Sequence, residues 1–472
     1  MPSADAGAFA RALRAALGEA AVSDAPDDLE AYGQDWTRVH EPAPSLVVFP
    51  RSTDEVATVV RLAAEHGAAV VPSGGRTGLA GGAVAARGEV VISLDRLRAL
   101  DPVDPVARTV RVGAGAVTAA VHEHCAPHGL TWPVDFASAG SSQVGGNIAT
   151  NAGGVRVVRY GLTRQWVLGL EVVLPNGEVV ELNGALEKNN TGLDLRQLFI
   201  GSEGTLGIIT HATLKLCPRP DQTQVALLAA PDLDHVLTVF GRARAQRDLV
   251  LQAFEYFSDA CLDVVLGETG EPAPFAERHP AYVLVELEAG PGADLADASE
   301  AWLGALFEEG LVVDGVLSGS SAEAYRLWSF RERISESLSK TGFVHKNDVA
   351  LPVSTLPRFT GALRDTLAQR YPDFGVYLFG HVGDGNLHVN IMKPAAMDKA
   401  AFLDRVHETD RVLFELIREH AGSVSAEHGI GLLKKAALPY SRTPAELGVL
   451  RAVKQALDPR QLMNPGKIFD PA

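Results

Sequence analysis

Cysteine is nearly absent: three residues in 472, Cys125, Cys217 and Cys261, far apart and with no Cys-x-x-Cys pair. This excludes a disulfide framework and an iron–sulfur cluster held by the chain alone, and it points to a reduced, cytoplasmic setting. Long apolar runs are also missing. No stretch of about 18 residues could span a bilayer, and the alanine-rich, mixed-charge start does not read as a signal peptide. Basic charge falls short as well. With 42 Lys+Arg against 58 Asp+Glu the net charge is −16, which argues against nucleic acid or anionic membranes as partners. An anionic substrate would then need a local basic patch. Repeats and low-complexity tracts are lacking. What remains is 46% apolar and 21% charged, an ordinary globular balance in a chain long enough for two or three domains.

Glycine, in contrast, is plentiful and clustered. A strand at Ser45–Phe49, a helix capped by Thr53 and running to about His66, and a strand at Ala69–Val71 lead into Pro72-Ser73-Gly74-Gly75-Arg76-Thr77-Gly78-Leu79-Ala80-Gly81-Gly82. Five glycines in eleven residues let backbone N–H groups approach an anion closely, as in a nest for a pyrophosphate. The loop matches neither Walker A nor the Rossmann fingerprint, and a plain turn is the alternative. Strands at Val90–Leu94 and Thr109–Val112 and a helix at Val117–His128 continue the pattern. Two further small-residue stretches follow, 140–154 and 201–208. Three such loops imply a long ligand lying against backbone at several points. Cys217-Pro218-Arg219-Pro220 closes this block, because the prolines end the strand before them.

Beyond it, strands near Val225–Leu228 and Tyr282–Glu288 and helices near 234–246 and 295–309 make a second region. Glu323–Lys340 reads as one amphipathic helix with Leu327, Phe330, Ile334 and Leu338 on its apolar stripe. Arg331 and Ser335 are i,i+4 neighbours on another face, and the strand Phe343–Leu351 carries Lys346. Simple solvation is the bland reading of both cations.

Val376–Phe379 and Leu387–Ile391 are strands flanking Asp384-Gly385, a strong type I′ hairpin signal. A two-residue turn there pairs His381 with His388, Cβ atoms roughly 4.5–5.5 Å apart, with Asn390 on the same face. Two such imidazoles can share a divalent metal, although they could also simply cap a core. Ser425-Ala426-Glu427-His428-Gly429 adds a carboxylate. His381, His388 and Glu427 then form a two-histidine, one-carboxylate set with an open position, the catalytic type. In an extended 426–428 segment His428 points the other way and stays free for acid–base work.

The loop at 72–82, Gly-Gly-Asn-Ile-Ala-Thr-Asn-Ala-Gly-Gly at 145–154 and Gly-Ser-Glu-Gly-Thr-Leu-Gly at 201–207 resemble the FAD-binding domain of the vanillyl-alcohol oxidase/p-cresol methylhydroxylase superfamily. Together with Arg331, Ser335, Lys346, His381-x6-His388, Glu427-His428 and Asn464-Pro-Gly-Lys, they make the whole chain similar to the FAD-dependent D-2-hydroxyacid dehydrogenases, nearest to those acting on D-2-hydroxyglutarate. The resemblance implies an α+β fold: a two-subdomain FAD-binding domain (1–220), a substrate- and metal-binding domain with an antiparallel sheet (221–425), and a C-terminal segment returning to the flavin (426–472). It implies FAD contacts at Pro72, Ser73, Gly74, Gly75, Arg76, Thr77, Gly78, Gly81, Gly82, Pro133, Asp135, Gly140, Ser141, Gly145, Gly146, Asn147, Thr150, Asn151, Gly153, Gly154, Glu203, Gly204, Gly207, Ile208 and Asn464. Some members attach flavin covalently through a histidine in the first loop. Arg76 stands in that neighbourhood here, so non-covalent FAD is expected. Zn²⁺ (or Mn²⁺ or Co²⁺) on His381, His388 and Glu427, His428 as base, and Arg331, Ser335, Lys346 and Asn390 around the substrate complete the implied site. The implied reaction is oxidation of D-2-hydroxyglutarate to 2-oxoglutarate, with hydride passing to flavin N5. Electrons then leave to an electron-transfer flavoprotein or a quinone, and a homodimer is left open. D-lactate, glycolate or D-mandelate as substrate, or an inactive flavin electron-transfer subunit, are the alternatives. The intact histidine set argues against the last.

Overall fold

The computed structural model describes residues 6–470. The chain divides into two compact units: one takes the chain up to Gly154, then Tyr160–Arg219, then the chain from Glu427 onward. The other takes Val155–Arg159 and Pro220–Ala426. No helix among the described residues is long and apolar enough to cross a membrane.

The first unit holds two four-stranded sheets. In one, Leu46–Val48, Val90–Ser93 and Val70–Ser73 run parallel, with Val22–Ser23 antiparallel at the edge. The other is antiparallel, in the order Thr109–Gly113, Ile208–Lys215, Val167–Val173, Val179–Leu182. Helix Thr53–His66 buries Val56, Ala57, Val59, Val60 and Ala63. Its cap is Ser52 rather than Thr53: Ser52 is extended and its Oγ accepts from Glu55 N at 3.2 Å, satisfying a first-turn donor. The 140–154 stretch is not all loop, since Val144–Thr150 is helical and ends at Asn151 in the left-handed region (φ 50°). Val144 and Ile148 are fully buried there, and a Cβ at Gly145 would come within 2.7 Å of Ala114 Cβ. That glycine therefore serves close packing. The C-terminal segment joins this unit edge-on: Asn464 N donates to Val70 O and Val70 N to Leu462 O, both at 2.8 Å. Lys454 Nζ, buried, donates to Thr205 O (2.7 Å), Asp458 Oδ2 (2.6 Å) and Met463 O (2.9 Å), which fills its three donor positions.

The second unit is built on a seven-stranded antiparallel sheet: Asp314–Leu317, Thr223–Ala230, Ala281–Ala289, Leu249–Ser258, Gly375–Gly380, Asn386–Met392, Val344–Ala350. Leu387, Val389 and Ile391 are no more than 1% exposed, and each such burial contributes about 1.5–3 kcal/mol. That alternation turns His388 and Asn390 to the opposite face. The expected single helix over 323–340 is two, Ser321–Glu332 and Ile334–Thr341, with a turn at Arg333 (φ −77°, ψ −8°). The turn brings Ile334 and Leu338 fully into the core and leaves Ser335 exposed.

Candidate active site

The histidine hairpin differs in register from the expected two-residue turn. Phe379, not His381, pairs with His388, and His381–Gly385 form a five-residue loop. Of those five only Gly385 has positive φ (89°), whereas a type I′ turn needs two such residues. His381 O accepts from both Asp384 N (3.0 Å) and Asn386 N (3.2 Å). A Cβ at Gly385 would come within 2.1 Å of Leu351 O, so the strand beside the hairpin requires glycine there. The histidines still meet: their ring centroids are 5.5 Å apart at 82°.

Glu427 directly follows Ala426, whose N–H donates to Asp348 Oδ2 at 3.2 Å, so one peptide bond ties it to the sheet. Within the second unit the paired rings of His381 and His388 offer two of the nitrogen donors that a catalytic Zn²⁺ takes; one carboxylate more would complete a three-ligand set with a position open. Asp348 is buried and sits directly across from His388. Its Oδ1 lies 3.9 Å from His388 Nδ1 and accepts from Asn386 Nδ2 at 2.8 Å.

Lys346 and Asn390 face each other across strands 344–350 and 386–392, two residues along from the Asp348–His388 pair and on the same face. Lys346 Nζ donates to Ser339 Oγ at 3.1 Å, and among the described residues no carboxylate reaches it. Burial of its stem lowers its pKa below the ordinary lysine value. Asn390 is 2% exposed, and its Nδ2 has no hydrogen-bond partner. Arg331, expected around the substrate, is paired with a carboxylate of the chain: its Nη2 lies 2.8 Å from Glu255 Oε2, off the line of a good hydrogen bond. Its Cζ stacks 4.8 Å over the Phe379 ring, and its Nε is buried without a partner. Ser335 does not join this group, because the turn at Arg333 exposes it. The sequence reading missed Glu255, Asp348 and Asn386. Asp348 had a local signal, lying two residues from Lys346 and so on the same strand face.

The glycine-rich stretches of the first unit pack tightly on one another. A Cβ at Gly75 would come within 2.2 Å of Ser141 O, one at Gly154 within 2.0 Å of Asp135 O, and one at Gly204 within 2.5 Å of Pro72 Cγ. At Gly78, Gly140 and Gly146 a Cβ would meet nothing within 4 Å among the described residues. Buried polar atoms without partners accompany these open faces: Ser73 Oγ, Gln143 Oε1 and Asn464 Oδ1. Asn464 Nδ2 meanwhile holds Gly82 O (2.9 Å) and Glu203 O (2.7 Å), tying the first and third stretches together. Open backbone beside unmet donors and acceptors suits a long polar ligand such as FAD. Arg76 stacks 4.3 Å from the Tyr32 ring and its Nη1 donates to Gly74 O at 2.7 Å, bracing the first loop.

Some expected contacts have other duties. Glu203 accepts from Ile430 N and Gly431 N, each at 2.7 Å. Burial raises its pKa although those two bonds oppose the rise. Ile208 lies in the hydrophobic core. Asn147 Nδ2 donates to Thr118 Oγ1 (2.8 Å), Thr150 Oγ1 to Gly146 O (3.0 Å), and Asn151 Oδ1 accepts from Arg164 N (3.0 Å). Pro133 is buried; Thr77, Gly81, Gly82 and Gly153 line the stretches, and Gly207 sits 2.8 Å (as a Cβ) from Val172 Cγ1.

Comparison with known proteins bears on both halves. Residues 219–468 match the family described as FAD linked oxidases, C-terminal domain, and residues 44–183 match the FAD binding domain. A D-2-hydroxyglutarate dehydrogenase of Xanthomonas citri pv. viticola is 50% identical, over 94% of this chain and 93% of its own. The enzyme of the same name from Stutzerimonas stutzeri is 47% identical, over 94% and 95%. The chain belongs to the FAD-dependent D-2-hydroxyacid dehydrogenases. Its fold is that of p-cresol methylhydroxylase, whose substrate-bound crystal structure matches this dehydrogenase with a TM-score of 0.74 over 98% of this chain and 97% of that one, at 17% identity. The α+β fold with an antiparallel second sheet, expected from the sequence, is thereby borne out. So is FAD as the cofactor of this dehydrogenase, since the matched FAD-binding domain contains the first two glycine-rich stretches.

Proposed function

We propose that the chain oxidises D-2-hydroxyglutarate to 2-oxoglutarate. The observation that carries this reading is a lysine without a carboxylate and two unmet donors at one sheet face. Among the described residues no carboxylate reaches Lys346; Asn390 Nδ2, directly across from it and two residues along from His388, is buried and unpaired; and Arg331 Nε, also buried and unpaired, belongs to a guanidinium stacked on Phe379, the strand partner of His388. A buried donor left unpaired costs about 1–3 kcal/mol, which a second substrate carboxylate would relieve. The names of the two relatives point the same way.

In this proposal His381, His388 and Glu427 would hold Zn²⁺, or Mn²⁺ or Co²⁺, and the glycine-rich stretches would hold FAD without a covalent bond. When bound, the metal lowers the pKa of the substrate hydroxyl and the flavin accepts hydride at N5. His428 takes the hydroxyl proton as general base. Lys346, Asn390 and the Nε–H of Arg331 receive the distal carboxylate. Ser335 is left out. Electrons pass to an electron-transfer flavoprotein or a quinone, and a cytoplasmic location belongs to the same proposal. A panel of D- and L-2-hydroxyacids with a dye acceptor, run before and after chelation, tests it. The diacid should be turned over best, in the D form only, and chelated protein should lose turnover while keeping its flavin. Better turnover of D-lactate would overturn the substrate, and full activity in metal-free protein would overturn the metal.

A further inference from the structure

Glu255 lies in the strand Leu249–Ser258, between Phe254 and Tyr256, and is fully buried. An isolated carboxylate in such a place is costly enough that it must be paired or neutralised. Its partners come from two other elements. His381, which opens the hairpin loop, places Nδ1 2.6 Å from Glu255 Oε1. Arg331, at the end of helix Ser321–Glu332, places Nη2 2.8 Å from Oε2. We infer that Glu255 is a positioning residue that fixes the tautomer and ring angle of His381 for metal ligation and, through its other oxygen, holds the guanidinium of Arg331 toward the substrate. The inference rests on the reading of His381 as a metal ligand.

The chemistry leaves one arrangement. An ionised carboxylate only accepts, so His381 Nδ1 must carry the proton, and Nε2 is left with the lone pair a metal needs. The Arg331 guanidinium beside its other oxygen supplies the opposite charge that a buried, ionised Glu255 needs. The same carboxylate neutralises Arg331, whose planar fork then keeps Nε–H without a partner. One buried group thereby serves both the expected metal and the expected distal carboxylate.

The test uses FAD-loaded protein and Zn²⁺ alone, titrated against a competing chelator, with Co²⁺ absorption as a second readout. Glu255→Gln should keep its flavin and bind Zn²⁺ about 10–100-fold more weakly, the usual effect of removing a partner that orients a metal-bound histidine. The double variant Glu255→Leu/Arg331→Leu removes both buried charges together, so none is stranded, and it should lose Zn²⁺ at least as strongly. Arg331→Leu alone keeps the Glu255–His381 bond. It should retain Zn²⁺ while the KM for D-2-hydroxyglutarate rises more than that for D-lactate, a split that the loss of stability from a stranded Glu255, felt by both substrates, would not give. Zn²⁺ binding by the double variant within about threefold of the parent would overturn the inference. A parent protein that binds no Zn²⁺ or Co²⁺ would instead overturn the metal reading of the proposed function.

Discussion

Lys346→Met and Arg331→Ala remove cations that the structure puts in different electrostatic situations. Among the described residues Lys346 is bonded to Ser339 Oγ and reached by no carboxylate, and it is exposed, so its removal strands no charge in the protein. The loss should appear only with a substrate that brings a second carboxylate. Truncating one member of a buried charge pair costs about 2–5 kcal/mol, and partial exposure puts this pair at the low end. About 2 kcal/mol is roughly a 30-fold fall in kcat/KM on D-2-hydroxyglutarate. On D-lactate the change should stay within about threefold. Arg331→Ala is a different perturbation, because it leaves Glu255 buried at 0% exposure with one partner fewer. Breaking such a pair costs about 3–5 kcal/mol, charged to folding as well as to binding. Both substrates should therefore suffer, and the melting temperature should drop. The assay is dye-coupled kinetics on both acids for each variant, with a thermal melt alongside. Equal losses on the two acids in Lys346→Met would mean the lysine does not meet the distal carboxylate. An unchanged melt with a diacid-only loss in Arg331→Ala would mean the guanidinium is not committed to Glu255.

Further outcomes are expected. Acid or heat should release free FAD from a yellow preparation; colour that stays with the precipitate would show a covalent bond. His428→Ala should bind substrate yet slow flavin reduction about 10²–10⁴-fold, and near-normal reduction in stopped flow would give the base role to another group. Burial pushes the thiols of Cys125 and Cys261 up to about 11, while Cys217 is only half-buried. A thiol reagent at neutral pH should therefore find one fast site in the native protein, and two or three fast sites would contradict that packing.

Local signals account for what the sequence revealed and what it concealed. The histidine motif was legible because both imidazoles, the turn and the strands lie within the short stretch Val376–Ile391. The register was not legible: Asp-Gly specifies a tight turn only when neighbours allow it, and here His381 O gathers the N–H groups of both Asp384 and Asn386 in a five-residue loop, with Leu351 O against Gly385. Glu255 gave no signal, since it lies 126 residues from His381 and looks like any lone charge in an apolar strand. The pairing of Arg331 with it was hidden for the same reason. The break at Arg333 contains neither glycine nor proline, so the apolar stripe ran through it undisturbed. Glycine abundance showed where a ligand could approach backbone, yet it could not separate the glycines of open loops from Gly145, which packs a helix against Ala114.

The return of the C-terminal segment to the edge of Val70–Ser73 has a consequence for biosynthesis. Val70 is hydrogen-bonded to Leu462 and Asn464, and Lys454 to Thr205, so these contacts cannot form until nearly the whole chain has been made. At a synthesis rate of about 5–20 residues per second, strand Val70–Ser73 waits tens of seconds for its last neighbour. Meanwhile Pro220–Ala426, contiguous except for a five-residue piece made earlier, can complete its own sheet first. The second unit can thus be completed before the first, although most of the first is synthesised earlier. A chain stopped just short of Lys454 should carry a finished second sheet and an unsealed flavin-binding unit, open to proteolysis near residue 70.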